Sequence, residues 1–223
     1  MSFIVGIDGP AGTGKGTITA LISKEMGLVN IDTGATYRCV ALQAIRNNIK
    51  LEETEKIIKL LDTIEIDMKN DNGVQTVLLN GEDVTTEIRS KDVTKIVSQV
   101  SAIKEVRFKM VDIQRKLADG KDVIMEGRDI TTYVFPNADV KIYLDADEEE
   151  RAKRRYKELQ EKNVDMSYEE VLENIRARDK NDREKEIGAL RIAEDATYID
   201  TTNMTIEQVK QTVIEVIKIE KKN

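Results

Sequence analysis

Residues 9–17 read Gly-Pro-Ala-Gly-Thr-Gly-Lys-Gly-Thr, directly after the apolar run Phe3-Ile4-Val5-Gly6-Ile7 and before a helix-like stretch beginning Ile18-Thr19-Ala20-Leu21. A strand, a glycine-rich turn and a helix in that order build a phosphate-binding loop. Gly9, Gly12 and Gly14 let backbone N–H groups turn inward around a triphosphate, and Pro10, Ala11 and Thr13 complete the turn. Lys15 can reach the outer phosphates, and the following helix directs its positive end at them. The usual pattern has Ser or Thr straight after the lysine. Here Gly16 intervenes and leaves the Mg²⁺-facing hydroxyl to Thr17.

Composition narrows what such a loop can serve. The chain has 223 residues, 40% of them hydrophobic, enough for one domain with insertions or two small ones. A net charge of −7 argues against a general nucleic-acid binder, so an anionic ligand must meet locally clustered arginines. Cys39 is the only cysteine, which excludes an internal disulfide and points to a core position. The absence of histidine excludes a Ser-His-Asp triad, histidine zinc sites and imidazole acid/base catalysis. Phosphoryl transfer survives those exclusions. No apolar run approaches the ~20 residues of a membrane span, and the start, MSFIVGIDG, has no basic leader, so a cytoplasmic protein is expected.

Apolar runs recur at 3–7, 28–31, 123–125, 140–144 and 198–199, mostly separated by helical patterns. That arrangement predicts an α/β fold, a five-stranded parallel sheet flanked by helices. The interval between the second and third strands is too long for one crossover helix and must hold an insertion. Within it, 64–68, 74–79 and 82–85 read as strands joined by Asn72-Gly73 and Asn80-Gly81, both preferred type I′ turns, predicting a small antiparallel meander. Val93, Ile96, Val97, Val100, Ile103, Val106 and Met110 then predict one amphipathic helix returning to the core.

After the fourth strand, Asp145-Ala-Asp-Glu-Glu-Glu offers a capping residue and first-turn acids, so a helix is expected there. Arg151, Arg154 and Arg155 follow at spacings that place three guanidinium groups on one helical face. Such a face is either solvated and paired with Glu148 and Glu150, or part of a mobile segment that closes over a transferring phosphoryl group.

Two further runs lie at predicted strand ends beside the loop: Asp32-Thr-Gly-Ala-Thr-Tyr-Arg38 and Glu126-Gly-Arg-Asp-Ile-Thr-Thr132. Doubly wound sheets bind ligands at those ends. Together with Arg176-Ala-Arg-Asp-Lys-Asn-Asp182 and the segment 193–202, these motifs closely resemble the bacterial cytidylate kinases, the long form of the nucleoside monophosphate kinase family, over essentially the whole chain. The resemblance implies a single P-loop kinase domain over 1–223, with an acceptor-binding insertion near 38–105 and a helical lid near 148–185. It also implies transfer from ATP, with Mg²⁺, to CMP and dCMP, in a monomer that needs neither nucleic acid nor membrane.

Carried over residue by residue, the resemblance sets Thr33, Arg38 and Arg128 around the acceptor phosphate and makes Ser98, Arg107 and Asp129 the cytosine-reading set. Arg178 and Asp182 become ribose contacts, and Lys15, Arg128, Arg151, Arg154 and Arg155 the catalytic cations. Glu126 stands where the family usually has aspartate, facing the metal's hydration shell together with Thr17. Thr131 replaces a common glycine. The late arginine followed by Ala-Pro-Leu is here Lys185 followed by Glu-Ile-Gly-Ala-Leu190, so the charge persists without the bidentate fork, and Arg183 is its alternative carrier.

Competing readings remain at this stage: a kinase for UMP or AMP, or a nucleotide-binding module without catalysis. A GTP-dependent switch would need an Asn-Lys-x-Asp element, and Lys69-Asn70-Asp71 and Lys180-Asn181-Asp182 have the wrong order. A transporter-type ATPase would need a Leu-Ser-Gly-Gly-Gln signature, which is missing.

Overall fold

The computed structural model describes residues 2–71, 74–161 and 163–221. Five strands, β1 (Ile4–Asp8), β2 (Val29–Asp32), β6 (Val123–Glu126), β7 (Val140–Asp145) and β8 (Thr197–Asp200), form a parallel sheet in the order β2-β6-β1-β7-β8. These are the five strands read from the apolar runs. Residues alternate between the two faces of each strand. Val123 and Met125 of β6 join the core on one side, while Ile124 joins Val5 and Ile7 of β1 on the other.

The second side is covered by α1 (Lys15–Met26) and α8 (Ile206–Glu220), whose Val209, Val213, Ile214 and Ile217 are all buried. Burying each such side chain stabilises by about 1.5–3 kcal/mol, which outweighs the modest helix propensity of a β-branched stripe. A capping box of Thr205 and Gln208 starts α8. The first side is covered by α2 (Thr33–Arg46), in which Cys39 is fully buried, and by α4 (Lys91–Val100) and α5 (Lys104–Ala118). Between α2 and α4 lie α3 (Thr54–Leu60) and an antiparallel sheet of β3 (Ile66–Asp71), β4 (Val74–Leu79) and β5 (Glu82–Asp83). Asn80 and Gly81 adopt φ of 51° and 83°, as a type I′ turn requires, whereas the Asn72-Gly73 turn lies outside the described residues. The third strand of this meander stops at Asp83 rather than Thr85, because the Thr85 hydroxyl and amide both turn to the Asp83 carboxylate.

The single helix expected over 93–110 is two. After Val100 the Ser101 hydroxyl donates to Ser98 O at 2.8 Å, and Ile103 takes an extended ψ of 125° before the chain re-enters α5. The break frees the Ser101 carbonyl to face the guanidinium of Arg107. Beyond β7, α6 (Glu148–Glu161) and α7 (Tyr168–Glu184) form a helical hairpin around its own small core of Ala152, Leu159, Val171 and Ile175.

Candidate active site at the strand ends

β1 delivers the chain to the phosphate loop at Asp8, whose neighbour Gly9 passes so close to β7 that a Cβ there would overlap the Leu144 carbonyl oxygen. Residues 9–14 then turn into α1, which begins at Lys15. The Lys15 amine is buried and folded onto its own loop, donating to Pro10 O at 2.7 Å and Thr13 Oγ1 at 3.1 Å. Burial, and after it the neighbouring Arg128, pushes its pKa well below that of an ordinary lysine. An incoming anion would oppose both effects by favouring the charged amine.

The helical hairpin braces this loop. Arg151, 3% exposed, donates to Ala11 O at 2.9 Å, to Ala146 O at 2.9 Å and to Asp179 Oδ2 at 2.6 Å. Asp179 in turn accepts the Ala11 N–H at 3.3 Å. The remaining arginines of α6 diverge from it: Arg154 donates to the Thr201 carbonyl at 2.6 Å and pairs with Glu150, and Arg155 pairs with Glu158. Burial lowers the pKa of Arg38, and Arg155, like Arg89, is near enough to add to that effect. The three guanidinium groups thus leave one helix for three different destinations, and Glu148 pairs with Arg176 instead.

Parallel pairing sets Asp32 of β2 opposite Glu126 of β6. The Glu126 carboxyl is pushed up to about 7, first by burial and then by that second carboxylate. Its Oε1 lies where a side chain at position 16 would project, 2.6 Å from a Cβ built on Gly16. The glycine after Lys15 and the longer acid at 126 are therefore complementary: one leaves the volume that the other fills. Thr17 is exposed on the first turn of α1, one residue farther on. The paired carboxylates of Asp32 and Glu126 suit a small divalent cation, which would relieve their repulsion. Thr33 donates its hydroxyl to Glu126 O at 2.6 Å, and Asp32 also caps α2 through the Ala35 N–H and pairs with Arg89.

Past β6, Arg128 donates to Asp182 Oδ2 at 2.8 Å, and Asp182 Oδ1 accepts from Lys185 at 2.8 Å. Burial alone would raise the Asp182 carboxyl, but Arg128 and Lys185 outweigh it and hold it well below the usual carboxylate range. Lys185 is thereby inside the cluster, whereas Arg183 lines a groove with Glu148, Arg176, Asp179, Lys180 and Glu184. Arg178 opens to solvent and adds to the field at Lys15 and Arg38. Arg38 donates to Ile88 O at 3.0 Å and Thr94 Oγ1 at 2.9 Å.

Asp129 forms a buried ion pair with Arg107, the two side chains being 7% and 3% exposed. Burial pushes its carboxyl up to about 6 even against that attraction. Arg107 Nε and Ser98 Oγ are both buried without a partner among the described residues. Buried polar atoms are nearly always satisfied, so the Arg107 guanidinium edge beside the Asp129 carboxylate, with the Ser98 hydroxyl one turn before Ser101, marks a polar recess whose groups a planar, hydrogen-bonding ligand could satisfy. The recess is held from behind by Asp8, which accepts the Ile130 and Thr131 amides at 2.9 and 2.8 Å and the Thr131 hydroxyl at 2.6 Å. Those bonds shape a π-helical turn over Ile130–Val134, which the sequence pattern did not announce.

The structure thus links Lys15, Thr33, Arg38, Arg107, Glu126, Arg128, Asp129, Arg178, Asp182 and Lys185 around the carboxyl ends of β1, β2 and β6, with Thr17 on the first turn of α1 and Ser98 on α4. Asp8, Asp32 and Asp179 are the supporting acids that sequence reasoning left without roles. Asp179 had a signal, since it adjoins Arg178, but its partners Ala11 and Arg151 are separated from it by long stretches of chain.

Comparison with known proteins agrees across the chain. A family model described as cytidylate kinase matches residues 5–219. A protein named cytidylate kinase from Caldicellulosiruptor saccharolyticus is 53% identical over 211 residues, covering 95% of this chain and 93% of its own. One of the same name from Bacillus subtilis is 42% identical, covering 96% of each. Among solved structures, an uncharacterised protein from Eubacterium ventriosum superposes with a TM-score of 0.52 at 12% identity, covering 98% of this chain and 99% of that one, a likeness of fold alone.

Proposed function

The chain belongs to the cytidylate kinase family, and on that premise we propose that it transfers the γ-phosphoryl group of ATP to CMP and dCMP, giving ADP with CDP or dCDP. The observation that carries the choice of acceptor is the recess of Asp129, Arg107 and Ser98 beside Arg128. Cytosine presents an amino donor at its 4-position, which a carboxylate can accept, and ring acceptors that a guanidinium or hydroxyl can satisfy. Uracil presents a carbonyl there. Two acceptors would then face one another in a buried site, which disfavours UMP by roughly several-fold to thousand-fold, the more so where water is excluded.

We assign the acceptor side to approximately residues 38–105 and the lid to approximately 148–185. Thr33, Arg38 and Arg128 hold the acceptor phosphate, Arg178 and Asp182 contact the ribose, and Lys185 adds positive charge beside them. Residues 9–17 hold the donor phosphates, with the Lys15 amine leaving Pro10 O for the outer phosphates. Mg²⁺, held through Thr17 and the Glu126 side, would neutralise charge on the donor phosphates. A phosphate monoester has its second pKa near 6, so an acceptor oxygen is already anionic at neutral pH and no protein base is needed. That oxygen bonds to the γ-phosphorus while the bond to the β,γ-bridging oxygen breaks and its electron pair leaves with ADP. Arg128 spreads positive charge around the transferring group, Arg154 and Arg155 would join it only by leaving Thr201, Glu150 and Glu158 as the lid closes, and Arg151 holds the loop that aligns it.

The test is a matrix of ATP and GTP against CMP, dCMP, UMP and AMP, with ADP or GDP release measured. Turnover confined to the cytidine acceptors supports the reading. Equal turnover with UMP or AMP overturns the acceptor assignment.

A further inference from the structure

Arg89 has no part in the chemistry above. It ends a short 3₁₀ turn, Glu87–Arg89, on the insertion between β5 and α4. Its backbone is fixed from both sides. Ile88 is fully buried and its carbonyl accepts from Arg38 Nη1 at 3.0 Å, while the Ser90 side chain caps α4 through the Val93 N–H. The segment that carries Arg89 is therefore docked on an arginine already assigned to the acceptor phosphate. From there the Arg89 side chain reaches back to β2, where its Nη2 lies 3.0 Å from Asp32 Oδ2, one residue before Thr33. Burial lowers the pKa of Arg38 and raises that of Glu126, and Arg89 adds to the first shift and opposes the second, as a cation close to both must.

Asp32 holds this guanidinium weakly. The Arg89 side chain is 55% exposed, and water screens an ion pair of that kind. A phosphate dianion offers the same planar fork a paired, charge-assisted contact instead. Asp32 keeps a partner after such an exchange, because its other oxygen accepts the Ala35 N–H at 3.1 Å. We infer that Arg89 is a further holder of the acceptor phosphate, joining Thr33, Arg38 and Arg128 by leaving the Asp32 carboxylate for the phosphate oxygens. This rests on the acceptor reading given above. The insertion then serves the phosphate in two ways: Ile88 O and Thr94 Oγ1 fix Arg38, and Arg89 brings its own charge.

Comparing CMP with cytidine, which lacks the phosphate, separates this role from a merely structural one. CMP affinity is read by calorimetry, and cytidine affinity from its competitive inhibition of CMP phosphorylation. Arg89→Met keeps the apolar stem and removes the charge, whereas Arg89→Lys keeps the charge without the fork. Arg89→Met should weaken CMP about tenfold while cytidine affinity and KM for ATP stay within about twofold. Arg89→Lys should recover part of the loss, and should Arg89→Met fail to fold, a several-fold loss for CMP alone in Arg89→Lys carries the comparison. A wild-type enzyme that binds neither CMP nor cytidine would refute the acceptor reading itself. CMP affinity within about twofold of wild type in folded Arg89→Met, or equal losses for CMP and cytidine, would refute the role of Arg89 and leave that reading intact.

Discussion

Removing the Asp129 carboxylate strands a charge. Arg107 is 3% exposed, its Nε has no partner among the described residues, and after Asp129→Ala it keeps Ser101 O at 3.5 Å and the Tyr37 ring at 5.5 Å, neither of which carries charge. Breaking a buried pair from one side costs about 3–5 kcal/mol, because the remaining ion stays desolvated and uncompensated. For a chain of this size each kcal/mol lowers Tm by about 2–4 °C, so the midpoint should fall by about 6–20 °C. Arg107→Met in the same chain removes the stranded guanidinium and should restore most of that loss, giving a coupling of about 2–4 kcal/mol in a double-mutant cycle. Thermal unfolding by circular dichroism at pH 7.5 reads both numbers. A midpoint within about 2 °C of wild type, or single effects that simply add, would refute a tightly paired, dry Arg107 and Asp129.

Three further outcomes follow from the same geometry. Lys15→Met should cut turnover by about 10²–10³ and leave CMP affinity within about twofold by calorimetry, since the amine serves the donor phosphates; unchanged turnover would remove it from the chemistry. Asp129 has its carboxyl raised to about 6, so it is ionised above that pH and protonated below it, where it can donate to a uracil carbonyl. The CMP-over-UMP ratio of kcat/KM should therefore fall as pH drops from 8 to 5.5; both acceptors share the same phosphate ionisation, which cancels in the ratio, and a flat ratio would contradict the assignment. Arg151→Lys cannot hold Ala146 O, Ala11 O and Asp179 at once, so KM for ATP should rise several-fold with CMP affinity unchanged. Equal losses in both substrates would contradict its role as a brace.

The phosphate loop and the strand-end runs were legible because their constraints are local: glycine spacing, a preceding strand and a following helix occupy adjacent positions. The five parallel strands and the meander were legible for the same reason, through apolar runs and the Asn80-Gly81 turn. The break between α4 and α5 was not, because Ser101-Ala-Ile103 holds neither glycine nor proline and the three- and four-residue spacing continues across it. Arg151 shows the other limit. Its spacing from Arg154 and Arg155 placed it correctly on a helix, but its partners Ala11 and Asp179 lie 140 and 28 residues away and turn it inward. Likewise, nothing near Gly16 in sequence shows that the Glu126 carboxylate occupies the volume its missing side chain leaves.

The most direct test compares kcat/KM for CMP and UMP, with ATP at pH 7.5, in the wild-type enzyme and in Asp129→Asn, which keeps the shape while exchanging an acceptor oxygen for an amide donor. The expected result is a strong CMP preference in the wild type that collapses or inverts toward UMP in the variant. An unchanged preference in folded Asp129→Asn would contradict the claim that this carboxylate reads the pyrimidine.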